Sequence, residues 1–560
     1  MERRDFLKLG CVGASAAVVA GLAGCAPQTK SGPTELAGTS ASDVNWTDEY
    51  DVVVVGGGGA GFCAAIEAAE AGASVVILEK SGTCGGDTAL SNGMILGAGT
   101  PQQAELEGCT DDSGEKFAEE QIAYAQGFGD EDMIREMCME SAAAVEWLAN
   151  DCGRVYATVD VVAPVNAYTD EFYPRSHWDY YALTASIHGE ETDPTATHFG
   201  CLQKKADTYE NITVKTNTEA VHLVMDGKEV VGVQTADDDF FKAAKGVILA
   251  TCSIGDNMEM ARAMNPQQYW GLYQREVNGA PVQVGASPYN TGDGIRMGLE
   301  VGADLALSEA CVMLDTLYFG GVGEGRGNKD ENIYKSTPVK GAIIVNPRGN
   351  RFVQEDADWG YIGTMQYFEN AKMGGGPDCK IWCIVDSNQT DYMENVVQWM
   401  IEQDTEGRFV KVADTLDELA AAAELPADNL KRTVEKWNEY SKEGVDPDFD
   451  RRTDFGPIET GPFYAIRIVQ NPLGACGGLR TDIETRVLNT AGEPIERLFA
   501  AGQIASGMFT GPFYPGCGWA VSAPCTGAAR PGATPPLWMP APSSLSLKAR
   551  LPPPRRAFPL

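Results

Sequence analysis

The chain has 560 residues, with 79 acidic against 43 basic side chains and a formal charge of −36 at pH 7. So acidic a surface argues against nucleic acid as a partner, because phosphate backbones are held by basic groups. Fifteen cysteines are spread without a CxxC, CxxCH or zinc-like spacing, so they do not read as a disulfide framework, and an iron–sulfur cluster built from distant positions stays open.

Residues 1–25 read as an address. Arg3-Arg4-Asp5-Phe6-Leu7-Lys8 has the form of a twin-arginine export motif, and the apolar stretch Leu9 to Gly24 is short for a membrane span. It ends in Leu22-Ala23-Gly24-Cys25, which has the form of a lipoprotein cleavage box with Cys25 as the acylated residue; an uncleaved anchor is the alternative. Residues 26–47 are a Ser-, Thr-, Gly- and Ala-rich linker. Export with so many thiols points to an anaerobic source. The remaining length, roughly 500 residues, implies two or more domains.

The body opens on Asp51-Val-Val-Val-Val-Gly-Gly-Gly-Gly-Ala-Gly61, a buried strand running into a glycine turn that starts a helix. Gly56, Gly58 and Gly61 have GxGxxG spacing. Gly56 permits the tight turn, Gly58 lets the backbone approach a pyrophosphate, and Gly61 allows close helix–strand packing. The helix N-terminus, with Gly59 and Ala60, offers free N–H groups to the anion. Glu79 ends the next strand about 20 residues on, where a ribose-binding acid belongs, and Lys80 follows it. Strand, turn, helix, strand and terminal acid together predict dinucleotide binding.

Next, Gly85-Gly86-Asp87-Thr88-Ala89-Leu90-Ser91-Asn92-Gly93 is a small-residue loop suited to lining a flat ring. A helical stretch covers 113–150. Residues 156–181 are crowded with Tyr156, Tyr168, Phe172, Tyr173, Trp178, Tyr180 and Tyr181, either a lid over an apolar substrate or a loop packed on the surface. Strands are predicted at 212–217, 230–235 and 246–250. Cys379 and Cys383 lie in a strand-like run and read as packing residues. From Pro524 the character changes, with ten of the thirty prolines and no Asp or Glu in the last 37 residues. The tail reads as disordered or as a frameshift product, because a closing helix starting at Trp519 is cut off at Pro524.

Val247-Ile-Leu-Ala-Thr251, Gly255-Asp-Asn-Met-Glu-Met260, Asn290-Thr-Gly-Asp-Gly-Ile-Arg-Met297 and Arg497-Leu-Phe-Ala-Ala-Gly-Gln503 follow in an order that resembles the fumarate reductase/succinate dehydrogenase flavoprotein family over about residues 48–522. The resemblance implies an α/β fold, a Rossmann-like FAD-binding domain (48–305 and 456–523) with an inserted α+β capping domain (306–455). It implies FAD as cofactor, bound non-covalently since the 85–93 loop has no histidine. It also assigns cofactor contacts to Asp87, Thr88, Ser91, Asn92, Gly93, Ala220, Val221, Thr251, Asp293, Gly502, Gln503, Gly518, Trp519, Ala520 and Val521. Gln503 stands where the family has an acid.

The family's dicarboxylate-binding residues are missing. The proton-donor arginine that follows the Arg351-Phe-Val-Gln-Glu355 segment is replaced by Trp359, with Tyr361 nearby. The His-Thr-x-Gly-Gly segment is Leu473-Gly-Ala-Cys-Gly-Gly478 without a histidine, and the last arginine gives way to Tyr514-Pro-Gly-Cys-Gly518. Tyr514 and Gly518 resemble instead the tyrosine and glycine of 3-ketosteroid dehydrogenases, whose hydroxyl and backbone N–H hold a carbonyl oxygen. That pair is an oxyanion site for hydride addition to a conjugated C=C–C=O system. Tyr361, or else Tyr318 or Tyr334, would move the α-proton.

The expectation is an exported, lipid-anchored FAD oxidoreductase. It reduces an apolar enone, steroid, lactone or phenolic acceptor, with electrons from a separate quinol-linked cytochrome or flavoprotein at the membrane. A 3-ketosteroid dehydrogenase running oxidatively, a non-catalytic flavin-binding protein and a dicarboxylate reductase are the competing readings.

Overall fold

Four consecutive valines inside one strand make sense only if both faces of the sheet are covered. In the computed structural model they are. The strand Asp48–Val55 lies between parallel neighbours Val75–Leu78 and Phe240–Leu249, with Val52 opposite Val75 and Val53 opposite Val247. Val53 and Val55 join one core with Leu249, Leu498 and Ala500, while Val52 and Val54 join the other with Phe62 and Ile66 of the helix Gly59–Glu70. The model describes residues 38–91, 93–125, 127–160, 173–181, 193–277, 287–306, 311–317, 341–357, 359–388, 397–404, 406–475 and 477–506.

Outward from Asp48–Val55, the main sheet runs through Val75–Leu78 to Ile212–Lys215 on one side. On the other it runs through Phe240–Leu249 to Pro494–Ala500, all in parallel. An antiparallel hairpin, Ala220–Asp226 with Glu229–Thr235, extends that second side. Besides the glycine turn after Val55, three loops therefore leave the carboxyl ends of parallel strands on the same edge: after Leu78, after Leu249 and after Ala500. In open parallel sheets this edge is where ligands bind.

A second, antiparallel sheet is built from Cys311–Leu317, Phe463–Ala475, Ile381–Asp386 and Ile343–Val345, with Val410–Ala413 beside the long strand. Its centre, Phe463–Ala475, lies beyond the 306–455 segment, so the chain crosses back through this layer on its way to the first sheet. Period-two burial again splits its sides. Ile344, Cys383, Val385 and Ile466 face one core, and Val345, Trp382, Ile384 and Ala465 face another with Leu430, Val434 and Trp437 of the helix Ala427–Glu443. Cys383 is thus a core residue.

The 113–150 stretch is two helices, Gly114–Ala125 and Glu131–Asn150, the second capped by the Asp130 side chain on the Asp132 and Met133 N–H groups. Within the aromatic-rich region, Tyr156–Asp160 and Ser176–Asp179 pair around a small sheet with Ile95–Leu96, and Tyr156 packs edge-on against His177. Tyr168 and Phe172 lie outside the described residues, as do the leader and everything from 507 to 560. Among the described residues no helix is long and apolar enough to cross a membrane.

Candidate cofactor and active site

The glycine turn is as tight as its spacing demands. A Cβ on Gly61 would fall 2.0 Å from the Gly56 carbonyl oxygen, and one on Gly56, which adopts φ +108°, would fall 2.4 Å from the Ala250 oxygen. Neither position accepts a side chain without moving backbone. Gly58 caps the helix Gly59–Glu70 without a side-chain bond of its own, and because Thr88 takes the Gly59 N–H that the sequence offered to an anion, the N–H groups of Ala60 and Gly61 are the ones left for it.

Glu79 does more than end its strand. Its carboxylate accepts the Gly57 N–H at 2.8 Å and the Ser81 N–H at 2.8 Å, bracing the turn from the adenosine side. Thr218 N–H bonds the Glu79 carbonyl, which places Ala220 and Val221, at the head of their strand, beside the same end. Lys80 reaches Thr291 Oγ1 at 2.7 Å and Asp293 Oδ2 at 2.5 Å. Burial pushes the Asp293 carboxyl up, but the Lys80 bond and charge, Thr291 and Arg296 outweigh it and hold the carboxyl below its usual range.

The loop after Gly85 touches the turn directly. Gly59 N–H donates to Thr88 Oγ1 at 3.1 Å, and Gly58 and Gly85 form an isolated parallel bridge. A buried layer fixes this loop from behind. His198 Nε2 donates to the Thr88 carbonyl and meets Ser91 Oγ at 3.0 Å, while Arg154 donates to the Gly93 carbonyl and pairs with Asp179 at 3.3 Å. Burial, and next the Arg154 charge, depress His198 to about 3, so it is neutral. Nothing in the local sequence around Ser91 or Gly93 signals these partners, which arrive from 60 to 110 residues away. Asn92 lies outside the described residues.

At the far end of the site the three loops meet. Asp87 Oδ1 accepts the Ser287 N–H at 2.5 Å; its Oδ2 accepts the Asn290 amide at 2.7 Å and the Cys252 thiol at 3.3 Å. Cys252 Sγ also stands 2.6 Å from Gln503 Oε1. Cys252 holds φ +60°, a left-handed conformation that a non-glycine residue adopts at a cost of about 1–3 kcal/mol. Beside it, the Thr251 hydroxyl is buried without a hydrogen-bond partner, and a Cβ on Gly294 would lie 2.3 Å from it. Gly502, at φ +79°, turns the third loop so that Gln503 faces the cluster. The sequence singles out Asp87, Thr251 and Gln503; Ser287, Cys252 and Gly474 join them only in the structure.

Gly474 closes this end. A Cβ there would be 3.7 Å from Asp87 Oδ2 and 3.7 Å from the Gln503 carboxamide, ordinary contact distance with room for a group above them. Counting back from Gly477-Gly478, this is the histidine position of the His-Thr-x-Gly-Gly pattern. Tyr361 is half-buried on the helix Trp359–Met373 and packs against the second sheet's core. Tyr514, Gly518, Trp519, Ala520 and Val521, with Tyr318 and Tyr334, lie outside the described residues. Among the described residues no cluster of His, Cys, Asp or Glu has the form of a metal site.

The cradle fits FAD on these observations: a helix start preceded by a turn in which Gly56 and Gly61 admit no side chain, an acid ending the next strand, and an orphaned buried hydroxyl where the loops converge. A family model described as the FAD binding domain matches residues 51–521. The digoxin reductase of Eggerthella lenta is 38% identical over 546 residues, covering 93% of this chain and 94% of that protein. The urocanate reductase of the same bacterium is 32% identical, over 82% of this chain and 70% of its own length. Among solved structures, the 3-ketosteroid Δ4-(5α)-dehydrogenase of Rhodococcus jostii RHA1, crystallised with 4-androstene-3,17-dione, aligns with a TM-score of 0.69 at 27% identity. The alignment covers 88% of this chain and 99% of that one.

Proposed function

Because the chain belongs to the FAD-binding flavoprotein family whose model spans it, we propose that it is an exported reductase of an apolar acceptor in which a C=C bond is conjugated to a carbonyl. It is an FAD-dependent oxidoreductase acting on carbon–carbon bonds. Bound FAD supplies the hydride chemistry.

The chain's own residues supply position and charge. The start of the helix Gly59–Glu70 would receive the pyrophosphate, Glu79 would brace the ribose end, and the loops carrying Asp87, Thr251 and Gln503 would line the ring end. Tyr514 O–H and Gly518 N–H hold the acceptor's carbonyl oxygen as negative charge moves onto it. Two such preorganised donors are each worth about 3 kcal/mol of barrier. Tyr361 delivers the α-proton.

The observation that carries this reading is Gly474. Where a dicarboxylate binder needs a cationic side chain, this site has a glycine beside the Asp87 carboxyl and the uncharged Gln503, neither of which supplies positive charge. The named relatives act on unsaturated acceptors, digoxin and urocanate. The oxidative direction is the second reading, favoured by the likeness to the Rhodococcus dehydrogenase. The two share one site and differ in the potential of the electron partner. The partner we propose is a separate quinol-linked cytochrome or flavoprotein at the membrane.

The test is Tyr514→Phe. Cofactor content should be unchanged and acceptor-driven reoxidation should slow by about 10²- to 10³-fold. An unchanged rate removes Tyr514 from the chemistry.

A further inference from the structure

Asp87 is a buried carboxyl at the end of the site where the loops meet. Its three donors are all neutral: the Ser287 N–H, the Asn290 amide and the Cys252 thiol. Among the described residues, the other charged groups nearby are already paired or neutral. Asp293 is held by Lys80 and Arg296, and His198 faces Thr88 and Ser91 from a buried, uncharged state. Among the described residues, Gln503 and Gly474 also stand here and do not titrate. Burial accordingly pushes the Asp87 carboxyl up, against the lowering effect of the Ser287, Cys252 and Asn290 bonds.

Cys252 gives this carboxyl two consistent arrangements. The thiol has one proton, and among its contacts are two acceptors, Asp87 Oδ2 at 3.3 Å and Gln503 Oε1 at 2.6 Å. With Asp87 ionised, S–H donates to the carboxylate. With Asp87 protonated, its O–H turns to Sγ and S–H turns to Gln503. Asp87 and Cys252 keep each other as partners in both states, and Gln503 Oε1 receives the S–H only in the second.

We propose that Asp87 is the charge-compensating residue of the site, taking up a proton when the cofactor is reduced and releasing it on reoxidation, with Cys252 switching its thiol between Asp87 and Gln503. The proposal rests on FAD binding and on no particular substrate. The balance is two electrons from the donor and two protons from solvent. One proton remains on the cofactor; the second converts the Asp87 carboxylate to the acid. Hydride departure removes both electrons and the first proton, and Asp87 returns the second to solvent. Asp87 acts through the cofactor, so it is a positioning residue.

The experiment is dye-coupled potentiometry of the holoprotein above neutral pH, with no acceptor present. Two protons per two electrons give a midpoint slope of about 59 mV per pH unit, and Asp87→Asn should reduce it to about 30 mV. A wild-type slope of about 30 mV, or a slope that Asp87→Asn leaves unchanged, overturns the proposal. If Asp87→Asn fails to hold cofactor, the reduced-minus-oxidised infrared spectrum of the wild type decides. A protonated-carboxyl band should appear on reduction and shift in Cys252→Ser, and its absence overturns the proposal. Because no substrate is added, failure of the substrate assignment leaves both readouts intact.

Discussion

His198 and His177 hold the cofactor loop and the small sheet behind it only while neutral. His177 is fully buried between Thr100 Oγ1 at 2.7 Å and the Arg175 carbonyl at 2.8 Å, and burial brings it down from 6.5 to about 4. His198 falls to about 3. In both cases the folded value lies below the unfolded one, so below pH 6.5 the unfolded chain binds a proton that the folded chain refuses. Stability from these two residues is complete above that pH. Each loses about 1.4 kcal/mol per pH unit on acidification until its folded value is reached. Chemical denaturation of the wild type from pH 7 downward should show this slope, and His177→Gln should remove its share; a flat profile down to pH 4 would contradict it. Neither role is legible in the sequence, where a lone histidine carries no periodicity and its partners are distant.

Between elements, the Arg351-Phe-Val-Gln-Glu355 segment turns out to be a clamp. Arg351 bonds Glu355 at 2.5 Å and Asp446 at 2.7 Å, and Glu355 also accepts the Ile344 N–H at 3.2 Å. Arg351 and Arg451 both lie against the Trp437 ring, at 4.8 and 4.7 Å. One carboxylate thus ties the strand Ile343–Val345 to the helix Ala427–Glu443. Removing it leaves buried guanidinium charge uncompensated, and Glu355→Ala should cost about 3–5 kcal/mol in a denaturant melt. A loss below about 1 kcal/mol would mean that the network is solvent-screened. The sequence marks this segment well, because a motif of fixed spacing survives being read locally. The long strand Phe463–Ala475 is the opposite case. Its residues form a plausible strand anywhere, and only pairing with partners near positions 315 and 384 assigns it to the second sheet. The same limit applies to Cys252, whose left-handed backbone is invisible in a run that reads Ala-Thr-Cys-Ser.

At the scale of the whole molecule, what the sequence states most clearly is the dinucleotide half of the site. The valine run, the glycine turn and Glu79 are consecutive features whose spacing is itself the geometry. Among the described residues, the ring end is assembled from loops after three strands and the end of the second sheet, so its residue types are readable but their meeting is not. The −36 charge and the Arg3-Arg4 leader bear on where the chain works. If the leader is a twin-arginine signal, replacing Arg3 and Arg4 with lysines should hold the folded, cofactor-loaded protein in the cytoplasm; unchanged export on fractionation would remove that route.

The central claim is tested most directly by anaerobic reoxidation of the reduced holoprotein, followed at flavin wavelengths, as single acceptors are added. The panel is enones, unsaturated lactones, steroids, cinnamates and fumarate. Rapid reoxidation by an apolar conjugated carbonyl compound, with none by fumarate, is the predicted result. Reoxidation by fumarate would contradict the reading of Gly474 and the missing arginines, and no response to any acceptor would contradict the assignment as a reductase.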